Sequence, residues 1–411
     1  AASYRYFPDG LLVIEDGRIA ALGDAQTLLK TLPDNTPITH YPDALLTPGF
    51  IDIHSHYPQT GIIAAYGEQL LDWLNTYTFP AEARLADPQH ATELAELFIS
   101  ELLRNGTTTA LVFASSHPQS VDCLFSAAAQ RNLCLLAGKV LMDRNAPPSL
   151  TDTATTGYQD SQALIERWHG QGRLHYAITP RFAPTSSEAQ LAAAGQLLQE
   201  YPHLYLQTHI AENKQEIDWV RQLFPERRDY LDVYDHYQLL GERSIFAHGI
   251  HLSERECARL AQSGSALAFC PTSNLFLGSG LFDLARMEAY NINVGLGTDI
   301  GAGTSFSLLQ TLSEAYKVMQ LQGKTLNPFK SFYLATLGAA RALRLEQQIG
   351  TFNLGSDADF VVLDYNATPL IAYRLAQTQS LEEKLFVLMT LGDDRVIQET
   401  FIMGRSVYRR T

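Results

Sequence analysis

The chain has 411 residues, with 30 Lys and Arg against 44 Asp and Glu and a formal net charge of -14. Its hydrophobic fraction of 46% supplies a sizeable core, which excludes a disordered, collagen-like or disulfide-stapled protein. The negative charge repels phosphate backbones and anionic lipid headgroups. We therefore expect neither nucleic acid nor a membrane surface as a partner.

The sequence shows no targeting or membrane-spanning signal. No stretch approaches the roughly 18 consecutive apolar residues that a spanning helix needs, and the N-terminus lacks a charged segment followed by an apolar run. The four cysteines include no Cys-x-x-Cys pair. These features predict a cytoplasmic protein with reduced thiols.

The two ends of the chain have strand character. In the first 48 residues, apolar runs flank Asp16-Gly17, a dipeptide suited to a type I′ hairpin turn. Near the C-terminus, Asp359 to Asp364 and Glu399 to Tyr408 have strand composition again. The sequence therefore predicts one small discontinuous β-sandwich domain, built from residues 1–48 and 350–411.

The middle of the chain, residues 49–349, alternates short apolar runs with amphipathic segments, which is typical of βα units. One predicted helix face combines Leu94, Leu97, Phe98 and Leu102, and Ser253 with Glu256 forms a capping-box pattern. Eight units in about 300 residues predict a (β/α)₈ TIM barrel, with catalytic groups at the carboxyl ends of its strands. The eight predicted strands end near His54, Phe113, Val140, Arg181, His209, His248, Cys270 and Asp299.

Candidate metal ligands fall at four of these eight strand ends. His54 and His56 are two residues apart, and on a strand this spacing points both imidazoles to the same side. His209, His248 and Asp299 end three other strands and add potential metal ligands or proton carriers. Imidazole nitrogens and a carboxylate oxygen suit Zn²⁺, with one position left for water.

Glu212 follows His209 by three residues, on the loop that leaves the strand. From there its carboxylate could take a proton from an activated water and pass it to a leaving nitrogen. Without that context, Glu212 would be an ordinary solvated loop acid.

The chain resembles the amidohydrolase superfamily and, within it, the bacterial guanine deaminases. The resemblance runs almost end to end. The segments that carry it are PGFIDIHSHYPQ, LLDWLNTYTFPAEAR, NGTTTALVFASSHPQS, GKVLMDRNAP, ITPRFAPTSS, THIAENKQEI, FAHGIHLS, CPTSNLFLGSG, GLGTDIGAGTSFS and MTLGDDR.

The resemblance implies a hydrolase of cyclic amidine C–N bonds that converts guanine to xanthine and ammonia in purine catabolism. It implies one Zn²⁺ per chain and a cytoplasmic homodimer. By carry-over, the metal ligands are His54, His56, His209 and Asp299, and the catalytic residues are Glu212, His248 and Asp299. The substrate-binding residues are Gln59, Arg181, Phe182, Glu212, His209 and Asp299.

Three further features bear on these expectations. Superfamily members with two metals usually carry a modified lysine at the end of the fourth strand, where this chain has Arg181, so we expect a single metal. Lys139 is expected to be structural, and His117 to be a surface or loop-packing residue. The glycines around Asp299 are expected to allow tight backbone turns and not to bind phosphate.

Two rival functions stay open at this point. The same chemistry could act on a related amino-heterocycle such as 8-oxoguanine, a pterin or an aminotriazine, because a fold alone does not fix a substrate. Alternatively, the barrel could be an inactive scaffold. The same nitrogen and oxygen ligands also accept iron, cobalt or manganese.

Overall fold

A computed structural model of the chain describes residues 4–67 and 69–411. Three strands precede the barrel, nine build it and three follow it. In chain order these are β1 (Gly10–Glu15), β2 (Arg18–Asp24), β3 (Ala44–Pro48), β4 (Phe50–His56), β5 (Thr107–Phe113), β6 (Cys134–Gly138), β7 (Val140–Leu141), β8 (Leu174–Pro180), β9 (Tyr205–Ile210), β10 (Ser244–His248), β11 (Ala266–Phe269), β12 (Asn293–Leu296), β13 (Phe360–Asp364), β14 (Ile397–Ile402) and β15 (Arg405–Arg409).

The helices lie mostly between the barrel strands. They are α1 (Ala25–Leu28), α2 (Leu70–Trp73), α3 (Phe79–Ala83), α4 (Pro88–Arg104), α5 (Pro118–Gln130), α6 (Ala154–Trp168), α7 (Glu188–Glu200), α8 (Lys214–Leu223), α9 (Tyr230–His236), α10 (Glu254–Ser263), α11 (Pro271–Phe276), α12 (Leu284–Ala289), α13 (Leu308–Leu321), α14 (Pro328–Leu334), α15 (Leu337–Ala342), α16 (Pro369–Ala376) and α17 (Leu381–Leu391). None of the helices in the described residues is long and apolar enough to cross a membrane.

The predicted barrel is confirmed. Its strands pair in parallel in the order β12-β11-β10-β9-β8-β6-β5-β4, and the short β7 pairs with β8. The ends of the sheet meet, because the Asp299 amide donates to the His54 carbonyl and the His56 amide to the Ile300 carbonyl, both at 2.9 Å. Each of the eight predicted strands is present, within a few residues of its predicted end.

Alternation along the barrel strands separates two apolar clusters. Ile51, Leu111 and Ala177 belong to a buried cluster drawn from every second strand residue, as expected for the barrel interior. The intervening residues pack with the surrounding helices in a larger cluster. On α4, Leu94, Phe98 and Leu102 are buried as predicted, but Leu97 is 49% exposed, so its placement on that face was wrong. The Ser253–Glu256 capping box at α10 is confirmed.

The terminal segments form two antiparallel sheets beside the barrel. In the β1-β2 hairpin, Asp16 and Gly17 have φ values of 49° and 80°, and this pair of positive angles is what the predicted type I′ turn requires. The second sheet has the order β15-β14-β13-β3, so it joins residues from both ends of the chain. The boundaries of the two domains, at residues 48 and 350, stay a prediction.

The segment between β13 and β14 holds two helices that we did not predict, α16 and α17. Leu385 and Leu388 of α17 are buried, and the helix packs against α13 and α14 of the barrel. The C-terminal segment therefore contributes both to the small sheet and to the outer helical layer.

Candidate active site

The residues singled out in the sequence converge at the carboxyl ends of the barrel strands. They surround a pocket, and His54 lies against the other histidines at its base. The lining residues are His56, Gln59, Leu70, Trp73, Leu74, Arg181, Phe182, His209, Glu212, Glu216, His248, Leu277, Asp299 and Ala302.

Four acceptor atoms meet at the base of the pocket. The His56 Nε2 atom lies 3.3 Å from the Nε2 atoms of both His54 and His209. The Asp299 Oδ1 atom lies 3.2 Å from His54 Nε2 and 3.3 Å from His56 Nε2. His54, His56 and Asp299 are nearly excluded from solvent, and His209 is partly buried.

The protonation of these groups fits a bound cation. Burial lowers the pKa of His56 to about 3 and lowers those of His54 and His209 as well, so the imidazoles are neutral at neutral pH. Burial alone would raise the pKa of Asp299, but His54 and His56 hold it well below its usual value. The His209 Nδ1–H donates to the Arg181 carbonyl at 2.7 Å, which leaves Nε2 as a free ligand atom. Neutral nitrogens beside one carboxylate are a suitable donor set for Zn²⁺.

Two other potential ligands approach the same point. His54, His209 and His248 place ligand atoms within 4.8 Å of one another, and so do His54, Cys270 and Asp299. Burial raises the pKa of the Cys270 thiol well above its usual value, so this group stays neutral and is a poor ligand. His248 lies at the edge of the cluster, where its Nε2 atom is closer to Glu212 than to Asp299.

Glu212 and His248 form a second group beside the cluster. The His248 Nε2 atom lies 3.4 Å from Glu212 Oε2 and 3.8 Å from Asp299 Oδ2. The Ser279 hydroxyl donates to Glu212 Oε1 at 2.8 Å. Burial, with the negative charge of Asp299, raises the pKa of Glu212 to about 8. A carboxyl group with a pKa near neutrality is suited to proton transfer in both directions.

The backbone at this site is held in unusual conformations. His248 and Asp299 have φ values of 71° and 54°, in the left-handed region that non-glycine residues rarely adopt. Next to Asp299, a Cβ atom at Gly297 would lie 2.7 Å from His54 Cβ and 2.9 Å from Cys270 Sγ. Glycine at this position therefore allows the end of β12 to lie close to His54 and Cys270.

Sequence reasoning missed three polar residues that orient this group. The Asn274 Oδ1 atom accepts from His248 Nδ1 at 2.9 Å and so directs the His248 Nε2 atom toward Glu212. The Glu216 carboxylate accepts from the backbone amide of Glu212 at 2.9 Å and from the Tyr230 hydroxyl at 2.6 Å. The Asn213-x-x-Glu216 spacing of a capping box was the available signal for Glu216.

Asp52 is a further missed residue, and it joins the two strands that carry the cluster. Its buried carboxylate accepts from the amide of His54 at 3.2 Å, and from the amide of Thr298 at 3.0 Å. The Thr298 hydroxyl donates to it as well. Asp52 thereby fixes the position of β4 relative to the segment that carries Asp299.

The upper part of the pocket combines polar and apolar side chains. Gln59 and Arg181 are 2% and 3% exposed, and both contact Glu82, a buried acid on α3 that was not among the predicted residues. Phe182 lines the pocket with its ring edge-on to Trp219 at 6.2 Å between centroids. A pocket with apolar walls and a few directed polar groups suits a flat heterocycle.

Lys139 and His117, for which we expected no role in the active site, lie outside the pocket lining. Lys139 is buried against Asp152 and makes an ion pair with it. His117 occupies the N-cap position of α5, where its carbonyl accepts from Ser120. Both placements agree with structural roles.

Comparisons with known proteins agree with this architecture. The model of the Amidohydrolase family matches residues 45–407. A guanine deaminase of Escherichia coli is 54% identical over 410 residues, covering 100% of this chain and 93% of that protein. The solved structure of E. coli guanine deaminase has a TM-score of 0.97 and covers 98% of this chain and 93% of its own.

A second solved structure contains bound guanine. The guanine deaminase from C. acetobutylicum, with guanine bound in the active site, is 32% identical with a TM-score of 0.89, covering 97% of this chain and 94% of its own. The chain therefore belongs to the amidohydrolase family and, within it, to the guanine deaminases.

Proposed function

We propose that this chain converts guanine and water to xanthine and ammonia with the help of a single Zn²⁺ ion. The observation that carries the proposal is the joint presence, in one pocket, of a metal-type ligand cluster, the Glu212–His248 pair and directed donors for a heterocycle. The 54% identity to a guanine deaminase over the whole chain supports guanine as the substrate.

His54, His56, His209 and Asp299 would hold the ion. When bound, a zinc ion lowers the pKa of water from 15.7 to about 7 and so supplies a nucleophile at neutral pH. The three imidazoles stay neutral because they are buried, and Asp299 supplies the one negative charge of the set. The same ligands also accept iron, cobalt or manganese, so metal analysis decides the identity of the ion.

Glu212 moves the protons of the reaction. Its carboxylate takes a proton from the water that attacks C2 of guanine and delivers it to the neighbouring ring nitrogen. Glu212 then passes the remaining proton of the hydroxyl added at C2 to the amino group, so that the C2–N bond breaks, ammonia leaves and C2 becomes a carbonyl. The Ser279 hydroxyl fixes the carboxylate in place, and burial keeps its pKa close to neutrality.

His248 and Asp299 orient the reacting atoms. The His248 Nε2 atom faces Glu212 and Asp299, so it can contact the attacking water or the developing tetrahedral centre. The Asp299 Oδ2 atom lies 3.8 Å from this His248 nitrogen and can align the attacking water. Together these groups act as positioned dipoles and charges where negative charge develops.

Gln59, Arg181 and Phe182 would bind the purine. Arg181 offers planar N–H donors to a carbonyl oxygen and a ring nitrogen, and Phe182 packs on the ring. We also infer from the family resemblance that the enzyme works as a cytoplasmic homodimer.

A substrate panel tests the choice of guanine. Ammonia release from purified enzyme is compared for guanine, 8-oxoguanine, a pterin, an aminotriazine, adenine and cytosine. We expect guanine to exceed adenine and cytosine by about 10⁴-fold or more in kcat/KM, because buried polar groups reject ligands that leave them unpaired. A higher kcat/KM for another heterocycle would reassign the substrate, and no turnover with metal bound would favour the scaffold.

A further inference from the structure

Glu82 lies behind the pocket wall and contacts both polar residues proposed to bind the purine. Its side chain is completely buried on α3, and it is not among the residues that line the pocket. Arg181 Nη1 donates to both Glu82 oxygens, at 2.7 and 2.8 Å. The Gln59 Nε2 group donates to Glu82 Oε1 at 3.2 Å.

The neighbours of Gln59 fix which way its amide points. The amide N–H of Gly301 can only donate, so the oxygen of the Gln59 side chain must face it, and it does so at 3.1 Å. The Glu82 carboxylate can only accept, so the NH₂ group must face Glu82. One hydrogen of that NH₂ group is left for a ligand, and Gln59 acts in the pocket as a donor.

Arg181 is fixed in the same way. Its Nη1 atom is held by Glu82, while Nε and Nη2 make no hydrogen bond to any residue that the structure describes. The guanidinium also lies over the ring of Phe79, with 5.5 Å from Cζ to the ring centroid. The donors of Arg181 that remain for a ligand are therefore in a defined orientation.

We propose that Glu82 is a positioning residue that sets the specificity of the pocket, by holding Gln59 and Arg181 so that both present N–H donors to the substrate. A wall of donors pairs with a substrate edge made of acceptors, such as an oxo group beside a ring nitrogen. An amino group at the same place would bring N–H against N–H and leave the buried donors unpaired. The inference rests on the proposed deamination of guanine by this pocket.

The contrast between guanine and 2,6-diaminopurine tests this directly, because both carry the amino group at C2 and differ in the oxo or amino group at C6. Steady-state kinetics with both substrates are measured for the native chain, Glu82→Gln and Glu82→Asp, together with metal content and thermal unfolding. Glu96→Gln is the matched control, because Glu96 pairs with Arg131 at 2.6 Å on the outer helices.

We expect Glu82→Gln to raise KM for guanine about tenfold to a hundredfold, the range of one charge-assisted hydrogen bond, with a smaller effect on kcat. The preference for guanine over 2,6-diaminopurine should fall by a similar factor, at unchanged metal content. Glu82→Asp keeps the charge but shortens the side chain. Its preference for guanine over 2,6-diaminopurine should therefore lie between those of the native chain and Glu82→Gln. The control should match the native chain.

Folded Glu82→Gln or Glu82→Asp enzyme with native KM and native preference would overturn the inference. If Glu82→Gln does not fold, Glu82→Asp decides alone, since it retains the buried ion pair. A native chain that turns over no guanine would instead overturn the proposed function, and this inference with it.

Discussion

Replacing Glu212 with Gln should lower kcat for guanine by about 10²- to 10⁴-fold, the usual contribution of a general acid–base group. The amide has the shape of the carboxylic acid and can still accept from the Ser279 hydroxyl, but it cannot carry a proton between water and the ring. Burial raises the pKa of Glu212 to about 8, so the native group can both give and take a proton near neutral pH. Steady-state rates of xanthine formation measure this decrease in kcat.

The same preparation should keep its metal content, because Glu212 is not one of the proposed ligands. Glu226→Gln provides the control, since it removes an exposed acid from the loop between α8 and α9. Glu212→Gln enzyme with metal bound and near-native kcat would show that another group moves the protons.

Replacing His56 with Ala should remove most of the bound metal and lower kcat/KM by more than about 100-fold, the upper limit for groups that only support a ligand. His56 is central to the cluster, because its Nε2 atom lies 3.3 Å from His54 Nε2, from His209 Nε2 and from Asp299 Oδ1. Metal analysis of the dialysed protein, beside the activity assay, measures both effects.

His236→Ala is the control for this substitution, because His236 is exposed on α9. The control should retain metal and activity. Full metal content in His56→Ala would contradict the ligand assignment and favour the alternative set of His54, His209 and His248.

Much of the fold could be predicted because its signals are local. The barrel strands are short runs rich in apolar or β-branched residues, and β4 and β5 are buried on both faces, as strands of a parallel sheet are. The Asp16-Gly17 turn specified the hairpin in the same way. α16 and α17 were not predicted, although Leu381, Leu385 and Leu388 of α17 have helical spacing.

The candidate metal cluster could also be predicted, because the barrel architecture brings residues that are distant in sequence together. In a parallel barrel the carboxyl ends of all strands lie on the same face, so the positions of His54, His209 and Asp299 at strand ends are enough to predict that they converge. Gln59, Arg181 and Phe182 came from the family resemblance alone, and the structure places all three in the pocket.

The supporting residues could not be predicted from local pattern. Glu82 is 99 residues from Arg181 in sequence, and nothing near it marks it as different from a solvated helix acid. Asn274 and Asp52 likewise act through partners that only the closed barrel brings within hydrogen-bonding distance. Such contacts depend on how the side chains of distant segments pack together. The spacing of residues within one segment does not predict that packing.

The most direct test of the account is to measure metal content and xanthine formation on one purified sample, before chelation, after chelation and after zinc is added back. We expect about one zinc ion per chain, loss of guanine turnover on chelation and recovery with zinc. Guanine turnover that persists in fully metal-free protein would contradict the central role given to His54, His56, His209 and Asp299.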